Sequence, residues 1–567
     1  MGVAEQAECL EQVTYRPRIN LLHLPVGQDR DPHSNPLSNS GRSEVAAISG
    51  LHEVLSAPEQ GLYDGAVLNG SLSARDFHEL TKHRRYRRLG GRMDPANRPL
   101  PFKVYTGLEL LPFHRPWAPL DQQATEALAG RGPLESRQPT RADVERICHF
   151  SNGVLRWREV PWLPGGRMAF RAAPCTGALY HIELYLACAE LEGLPAGLYH
   201  YCARDSGFRC LRPGDWRGPL AEAAASEAAT IDAPALLLVT STFWRNAWKY
   251  GPRAYRHTYW DGGVVIANAL AAAHALELPA KVVTGFVDAA VNRLIDVDPD
   301  AEAAVAMVAL GCGASTPPAV AAPQPLGLAT EPLSAFQERF DLIPAAHAAT
   351  SFGDPGQVLA WRRAGEATPS PEPIRTSHGQ HGGPSLEDAI IRRRSTRRFA
   401  VTPIKQEQLI DVLDCALAPV PSDAGIGPGS VHIALNGVEG LGSGTYRVDG
   451  GRITLIRSWP EADIRVAAMQ MSLVQELAAD AAVNVCFLAD LDSVLDRLGD
   501  RGWRAAHMGA AIAGGRLEVA AQALGLGATG LTFFDDEVTD LFGLDGRSTG
   551  VCYLAAVGVP ASRKAWI

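Results

Sequence analysis

The chain of 567 residues lacks the patterns that mark several large protein classes. Its ten cysteines form no CxxC pair and no Cys/His cluster at zinc spacing, so we expect no metal site and mostly buried thiols in a reducing cytoplasm. Neither a Walker motif nor an HExxH motif is present. The N-terminus lacks a signal-peptide pattern, and the longest apolar stretch, from Gly262 to Leu276, is too short to span a bilayer. These absences favour a cytoplasmic protein with no membrane partner.

Positive charge is also in the minority. The 53 Lys and Arg residues are outnumbered by 62 Asp and Glu, and the net charge of −9 argues against nucleic acid as the main partner. A hydrophobic content of 46% is ordinary for a globular protein, and the length allows two to four domains.

What the sequence does contain is an internal repeat. Lys249–Arg256 reappears as Arg497–Arg504, an offset of 248 residues (497 minus 249). Three shorter matches keep an offset of 247 or 248: Pro174–Ala178 with Pro421–Gly425, Gly197–Tyr199 with Gly444–Tyr446, and Thr284–Phe286 with Thr532–Phe534. The period is too long for a solenoid, so we expect two fused copies of one domain.

The repeat and the composition divide the chain into four parts. Residues 1–70 are predicted to be an N-terminal extension, 71–315 the first domain (copy one), 316–384 a linker and 385–567 the second domain (copy two). Within copy two, hydrophobic periodicity predicts helices at 406–417 and 508–524 and strands at 431–435, 453–456, 484–488 and 531–534. The predicted fold class is α+β, with a mixed sheet flanked by helices in each copy.

The sharpest local motif is the run from Arg392 to Phe399, which contains five arginines. Guanidinium groups bind phosphate in bidentate fashion, so the run is a candidate anion site. A solvated basic face at a helix end is the alternative interpretation.

The motif Arg-Arg-Ser-x-Arg-x-Phe resembles the FMN-binding motif of the nitroreductase superfamily. The resemblance implies that Arg393, Arg394, Ser395 and Arg397 bind FMN, and it extends more loosely to Arg563 and Lys564 as phosphate ligands. Members of that superfamily are usually homodimers with FMN between subunits. The resemblance therefore implies a pseudo-twofold pair of copies within one chain, as a monomer or a further homodimer.

A second stretch, Arg171–Tyr180, is similar to the Pro-Ser-x-Gly-Ala-Leu-Tyr-Pro segment of SagB/ThcOx-type dehydrogenases, flavin enzymes that oxidise thiazoline and oxazoline rings. It implies flavin contacts by Pro174, Cys175, Thr176 and Gly177. The chain departs from the pattern at Cys175, where the family has serine, and at His181, where it has proline.

Lys249-Tyr250 matches the Lys-Tyr pair of the azoline oxidases and is the predicted catalytic pair. Dehydrogenation requires a proton acceptor, and a neighbouring cation such as Arg253 is expected to lower the pKa of both residues. The alternative is that Lys249 lies at the surface and Tyr250 in the core.

Two glycine-containing segments complete the candidates. Thr284-Gly285 resembles the family turn whose N–H groups face the flavin ring, and glycine permits that close approach. Gly525–Gly530 fits GxGxxG, but it follows a helix and opens a strand, which favours a helix C-terminal turn over a dinucleotide site.

These features predict an FMN-dependent dehydrogenase or oxidase acting on a small heterocyclic or modified-peptide substrate, with oxygen as the expected acceptor. The expected protein partner is a cyclodehydratase, within a biosynthetic complex. The alternatives are an NAD(P)H-dependent nitro- or quinone-reductase and a non-catalytic flavin-binding scaffold.

Overall fold

A computed structural model describes residues 72–84, 93–132, 134–161, 163, 165–319, 322–366 and 383–561. The predicted N-terminal extension lies outside the described residues, as do Arg563 and Lys564. No helix within these ranges combines the length and the apolar character needed to cross a membrane.

Copy one is built around a seven-stranded sheet. Its strands, with a separate hairpin of β2 and β3, are β1 (Leu110–Pro112), β2 (Val154–Glu159), β3 (Arg167–Arg171), β4 (Ile182–Cys188), β5 (Gly197–Cys202), β6 (Gly207–Pro213), β7 (Ala235–Thr242), β8 (Ala280–Val283) and β9 (Glu302–Leu310). The sheet order is β1-β6-β5-β4-β7-β9-β8, and neighbouring strands are antiparallel.

Helices flank this sheet and continue into the 316–384 segment. They are α1 (Ala74–Leu80), α2 (Ala124–Ala129), α3 (Arg141–Asn152), α4 (Arg217–Ala223), α5 (Ala228–Asp232), α6 (Phe243–Tyr250), α7 (Ala254–Ala275), α8 (Asp288–Ile295), α9 (Leu342–Ala349) and α10 (Pro355–Glu366). Short 3₁₀ turns lie at Pro95–Asn97, Thr176–Ala178 and Gly251–Arg253.

Copy two repeats the arrangement around a second sheet of order β10-β16-β14-β11-β12-β13, with β15 on β16. Its elements are α11 (Leu386–Arg392), β10 (Phe399–Ala400), α12 (Gln406–Leu417), β11 (Ser430–Leu435), β12 (Gly444–Asp449), β13 (Arg452–Ser458), α13 (Glu461–Met471), α14 (Glu476–Asp480), β14 (Val483–Asp490), α15 (Leu491–Ala523), β15 (Gly527–Gly530), α16 (Asp535–Phe542) and β16 (Thr549–Pro560). The predicted α+β fold is confirmed.

One predicted strand of copy two is wrong. Leu531–Phe534 is a loop, and the strand is β15 at Gly527–Gly530, because the chain pairs with β16 as soon as α15 has ended. Gly525, with φ of +75°, forms the turn that ends the helix, a conformation that glycine adopts without strain. The GxGxxG segment is thus a helix end followed by a strand.

The two copies pack through α7 and α15. A Cβ on Gly263 would lie 2.6 Å from the Cβ of Ala511, and one on Gly515 would lie 2.9 Å from the Cβ of Ala267. Each of these contacts joins residues 248 apart (511 minus 263, 515 minus 267), so equivalent positions face each other across a pseudo-twofold axis. The close helix approach depends on the small residues.

Buried ion pairs cross the same interface twice. Asp535 of copy two accepts from Arg253 at 2.9 Å and from Arg256 at 2.7 Å. Asp288 of copy one accepts from two arginines of copy two, Arg501 at 2.8 Å and Arg504 at 2.6 Å. All six side chains are buried, so each copy neutralises charge that its counterpart supplies.

The 316–384 segment also contributes to this symmetric arrangement. Arg256 donates to the carbonyl of His78 and to the Thr81 hydroxyl, and Arg504 donates to the corresponding groups of His347 and Thr350. Helix α9 therefore accepts from copy two the same hydrogen bonds that α1 accepts from copy one. The shared His-x-x-Thr pattern is a repeat that the offset of 247 to 248 did not reveal, because its own offset is 269 (347 minus 78).

Candidate functional site

The loop that follows β3 in copy one is fixed by a carboxylate from α7. Asp261 accepts hydrogen bonds from the Thr176 backbone N–H at 3.0 Å, the Thr176 hydroxyl at 2.9 Å and the Cys175 thiol at 3.0 Å. The Nε2 atom of His181 lies 2.7 Å from the same carboxylate. Both residues that depart from the family pattern, Cys175 and His181, therefore meet at Asp261. We call Cys175–Gly177, which Pro174 precedes, the site loop.

The side chains of Cys175, His181 and Asp261 offer ligand atoms that lie within 4.8 Å of one another, close enough to hold a metal ion. Each atom already has a hydrogen-bond partner, since Tyr180 N–H donates to the Cys175 sulfur and His181 Nδ1 lies 2.8 Å from the Ser241 hydroxyl. Burial and Asp261 raise the pKa of the Cys175 thiol well above its ordinary value. The cluster is complete as a hydrogen-bond network that holds the site loop.

The predicted catalytic pair lies at the end of α6, beside the site loop. Asn246 donates to the carbonyl of Thr176 at 3.3 Å, and its Oδ1 atom lies 2.6 Å from His257 Nδ1. The His257 ring packs edge-to-face on the Tyr250 ring at 4.7 Å. A Cβ on Gly177 would lie 2.8 Å from the Tyr250 hydroxyl, so only glycine leaves room for that group. Both catalytic candidates are half-buried rather than at the surface or in the core.

The prediction that Arg253 lowers the pKa values of both Lys249 and Tyr250 is wrong in two respects. Arg253 does not act on either residue as predicted, because its guanidinium is bound by Asp535 and the Thr81 carbonyl. The pKa of Lys249 is lowered, first by burial and then by Arg98 and Arg397. The pKa of Tyr250 is raised, because burial and the neighbouring Asp261 and Cys175 disfavour the phenolate more than Arg397 favours it.

Copy two brings its basic motif, Arg393–Arg397, to the same place. Arg393 is buried and donates to the carbonyl of Ala172, three residues before the site loop, at 3.0 Å. Ser395 forms a parallel bridge with Ala528 of β15. Arg394 and Arg397 are exposed, and Arg397 is close enough to shift the pKa values of both Lys249 and Tyr250. The structure thus brings together the basic motif, the segment that leads into the site loop and the predicted catalytic pair.

A buried carboxylate from α15 lies behind the basic motif. Glu518 accepts from the Gly530 backbone N–H at 3.1 Å and from the Tyr553 hydroxyl at 3.4 Å. Its second oxygen lies 3.6 Å from Arg393 Nη1, beyond hydrogen-bond distance. Burial raises the pKa of the Glu518 carboxyl, against the opposing effect of Arg393.

The turn after β15 presents backbone donors. The N–H groups of Leu531 and Phe534 donate to the carbonyls of Leu554 and Met471. Within the part of the chain that the structure describes, the intervening N–H groups of Thr532 and Phe533 have no acceptor.

The equivalent turn of copy one, Thr284-Gly285, is not brought to this cluster. Its two N–H groups donate to Asp423 of copy two at 2.9 and 2.8 Å. A Cβ on Gly285 would lie 2.9 Å from the Trp361 ring of α10. The two predicted flavin-binding residues therefore lie on the other side of the pseudo-twofold axis, where a buried carboxylate and an indole ring occupy the space beside the turn.

Sequence reasoning missed Asp261, Asn246, His257, Glu518 and Tyr553. Two of them carry a recognisable signal, because Asp261 directly precedes the small and apolar run Gly262–Ala267 and Glu518 lies between Leu517 and Val519. A carboxylate in such a helix has to be compensated by buried donors, which marks the position as part of a polar site.

Comparisons with known proteins agree with this arrangement of two copies. A family model described as Nitroreductase family matches residues 134–312 and 390–559. A candidate nitroreductase from Anabaena variabilis, seen in a crystal structure, is 26% identical with a TM-score of 0.68, over 86% of this chain and all of that one. A candidate nitroreductase from Methanocaldococcus jannaschii is 26% identical over 168 residues, covering 28% of this chain and 83% of that protein. The E. coli microcin synthetase McbBCD complex, with a truncated pro-peptide bound, matches at 18% identity and a TM-score of 0.29, covering 47% of this chain and 99% of that one, a likeness too weak to carry an argument.

Proposed function

The chain belongs to the nitroreductase family, and on that premise we propose that it is an FMN-dependent dehydrogenase or oxidase with one active site built by both copies. The observation that carries the proposal is that Arg393 of copy two contacts Ala172, which leads into the site loop of copy one, while Arg397 of copy two lies near the Lys249-Tyr250 pair.

The polar groups at this site fit FMN. Arg393 Nε and Nη1 are buried and have no hydrogen-bond partner among the residues that the structure describes, which is costly unless a ligand completes them. The exposed Arg394 and Arg397 with Ser395 would hold the phosphate and ribityl chain through charge-assisted hydrogen bonds. The N–H groups of Thr532 and Phe533 would face the flavin ring. FMN, when bound, would supply the acceptor for a hydride.

The substrate oxidation we propose is the conversion of an azoline ring, in a peptide or a small molecule, to an azole. This step removes a hydride and a proton from adjacent ring atoms. Lys249 is suited to take the proton at Nζ, because its lowered pKa increases the fraction of neutral amine. Tyr250 keeps its own proton, because its pKa is raised, and serves as a hydrogen-bond donor beside Gly177. Lys249 alone, and not Lys249 together with Tyr250, is therefore the proton acceptor in this proposal.

The absorption spectrum of the purified protein tests the proposal. Oxidised flavin gives a yellow protein, and heat release followed by chromatography identifies the flavin. FMN at one equivalent per chain, with turnover of an azoline substrate, is the expected result. A colourless protein that binds no added FMN would favour a scaffold role. A yellow protein that takes hydride from NAD(P)H and reduces nitro or quinone compounds without needing Lys249 would favour the reductase alternative. A cyclodehydratase partner is proposed on the same resemblance, and co-purification from the source organism tests it.

A further inference from the structure

Arg393 and Glu518 face each other in the buried part of the site without completing a hydrogen bond. Arg393 Nη1 and Glu518 Oε2 are 3.6 Å apart, and Arg393 Nη2 is committed to the carbonyl of Ala172. Among the described residues, Arg393 Nε, Arg393 Nη1 and Glu518 Oε2 have no hydrogen-bond partner, and all three atoms are shielded from solvent. The two side chains form an ion pair at 3.6 Å, but its hydrogen-bonding capacity is unused, and leaving buried polar groups unsatisfied costs free energy.

The unsatisfied groups have a specific chemical complement. Arg393 presents donors and Glu518 presents an acceptor. The Gly530 N–H, bound to the other Glu518 oxygen, lies two residues before the turn donors of Thr532 and Phe533. A ligand edge that alternates carbonyl, N–H and carbonyl would satisfy such a set. That edge is the cyclic imide of a flavin pyrimidine ring, with N3–H between two carbonyl groups.

We propose that Glu518 is the acceptor for the imide N3–H of the flavin, and that Arg393 donates to the adjacent carbonyl oxygen. The proposal rests on the proposed function, because it assigns a new binding residue to that site. Copy one has Leu270 at the equivalent position (518 minus 248), so this acceptor exists in copy two alone. The residue contributes to binding and selects a flavin with a free N3–H.

The test measures how tightly several protein variants bind FMN and an FMN analogue. The apoprotein, its Glu518→Gln variant and its Glu518→Leu variant are titrated with FMN and with 3-methyl-FMN, which lacks the N3–H. Wild type and Glu518→Gln, which both retain an acceptor oxygen, should bind FMN about tenfold or more tightly than the methylated analogue. Glu518→Leu should bind FMN more weakly and lose most of that ratio. Asp414→Asn, which neutralises a buried carboxylate paired with Arg131 elsewhere in copy two, should keep the wild-type ratio.

The outcomes separate the inference from its premise. Wild type that binds FMN and 3-methyl-FMN equally, or Glu518→Leu that keeps the full ratio, overturns the role of Glu518 while leaving the proposed function intact. Wild type that binds neither flavin refutes both. If Glu518→Leu does not fold, the ¹⁵N resonance of N3 in labelled FMN decides. It should shift between wild type and Glu518→Gln, and an unchanged resonance overturns the assignment.

Discussion

The indole N–H of Trp260 donates to Nδ1 of His507 over 2.9 Å, and each residue lies one position from the equivalent of the other in the repeat (260 plus 248 is 508). The contact lies between α7 and α15, at the pseudo-twofold axis. Because the repeat places Met508 at the equivalent of Trp260 and Tyr259 at the equivalent of His507, this hydrogen bond has no symmetric counterpart.

Replacing Lys249 separates the enzyme classes. Lys249→Met should retain flavin but oxidise the azoline substrate about 10²-fold more slowly, because the general base is lost. Reduction of the flavin by dithionite should stay unchanged, since that reaction needs no protein base. Stopped-flow absorbance measures both rates. Leu498→Ala, next to the equivalent position in copy two, serves as the control with wild-type turnover. Equal turnover by Lys249→Met would remove the azoline-oxidase analogy.

Removal of Arg393 or Arg397, two arginines of copy two that lie beside copy one, should weaken flavin retention. Arg393→Ala and Arg397→Ala each remove a charge-assisted contact, worth roughly 1.5–3 kcal/mol, and should lower affinity by about tenfold to a hundredfold. Fluorescence titration of the apoprotein gives the dissociation constants. Arg392→Ala is the matched control, because Arg392 is exposed and its ion pair is with Asp388, one turn earlier in α11. Stoichiometric flavin after dialysis of both variants would place the flavin site elsewhere.

Flavin stoichiometry should be one per chain. The N–H groups of Thr284 and Gly285 are already bound by Asp423, and Trp361 lies against Gly285, so these two donors are not open to a second flavin. The flavin absorbance per mole of protein, measured after saturation and gel filtration, checks this. Asp423→Ala should leave the affinity of the first site unchanged. Two equivalents of tightly bound flavin would show that the second position is also a site.

The crossed ion pairs should dominate the stability of the interface between the copies. Asp535→Asn leaves Arg253 and Arg256 buried without a counter-charge and should cost about 3–5 kcal/mol of unfolding free energy. Asp388→Asn, which breaks an exposed pair, should cost less than about 1 kcal/mol. Urea unfolding followed by circular dichroism compares the two. Similar midpoints for both variants would contradict a central role for Asp535.

Stability should fall as the pH drops below about 6.5, the ordinary pKa of histidine. Burial lowers the pKa of His149 to about 3, that of His347 to about 3 and that of His432 to about 4. Between pH 6.5 and 4 the unfolded chain binds protons at these residues and the folded chain does not, so the folded state loses stability with acidification. Each contributes up to about 1.4 kcal/mol per pH unit.

Urea unfolding at several pH values measures that slope, and His347→Gln should reduce it. A flat profile from pH 7 to 5 would contradict the prediction.

The sequence predicted most of the fold because periodicity is a local property. Helix α12 begins and ends at the predicted residues, and strands β11, β13 and β14 contain the predicted segments. The strand predicted at 531–534 failed because its pairing with β16 starts four residues earlier, and register depends on the partner strand. The role of α9 was missed because its repeat has a different spacing from the rest of the chain.

By itself the sequence determined that two related domains are fused, and it identified Arg393, Arg397, Lys249 and Tyr250 as candidate site residues. Only the tertiary structure decided which of these residues meet, because the pseudo-twofold pairing joins the basic motif of one copy to the loop of the other. It also decided the pKa directions of Lys249 and Tyr250. Those depend on burial and on charges from residues such as Asp261 and Arg397, whose distance along the chain says nothing about their distance in space.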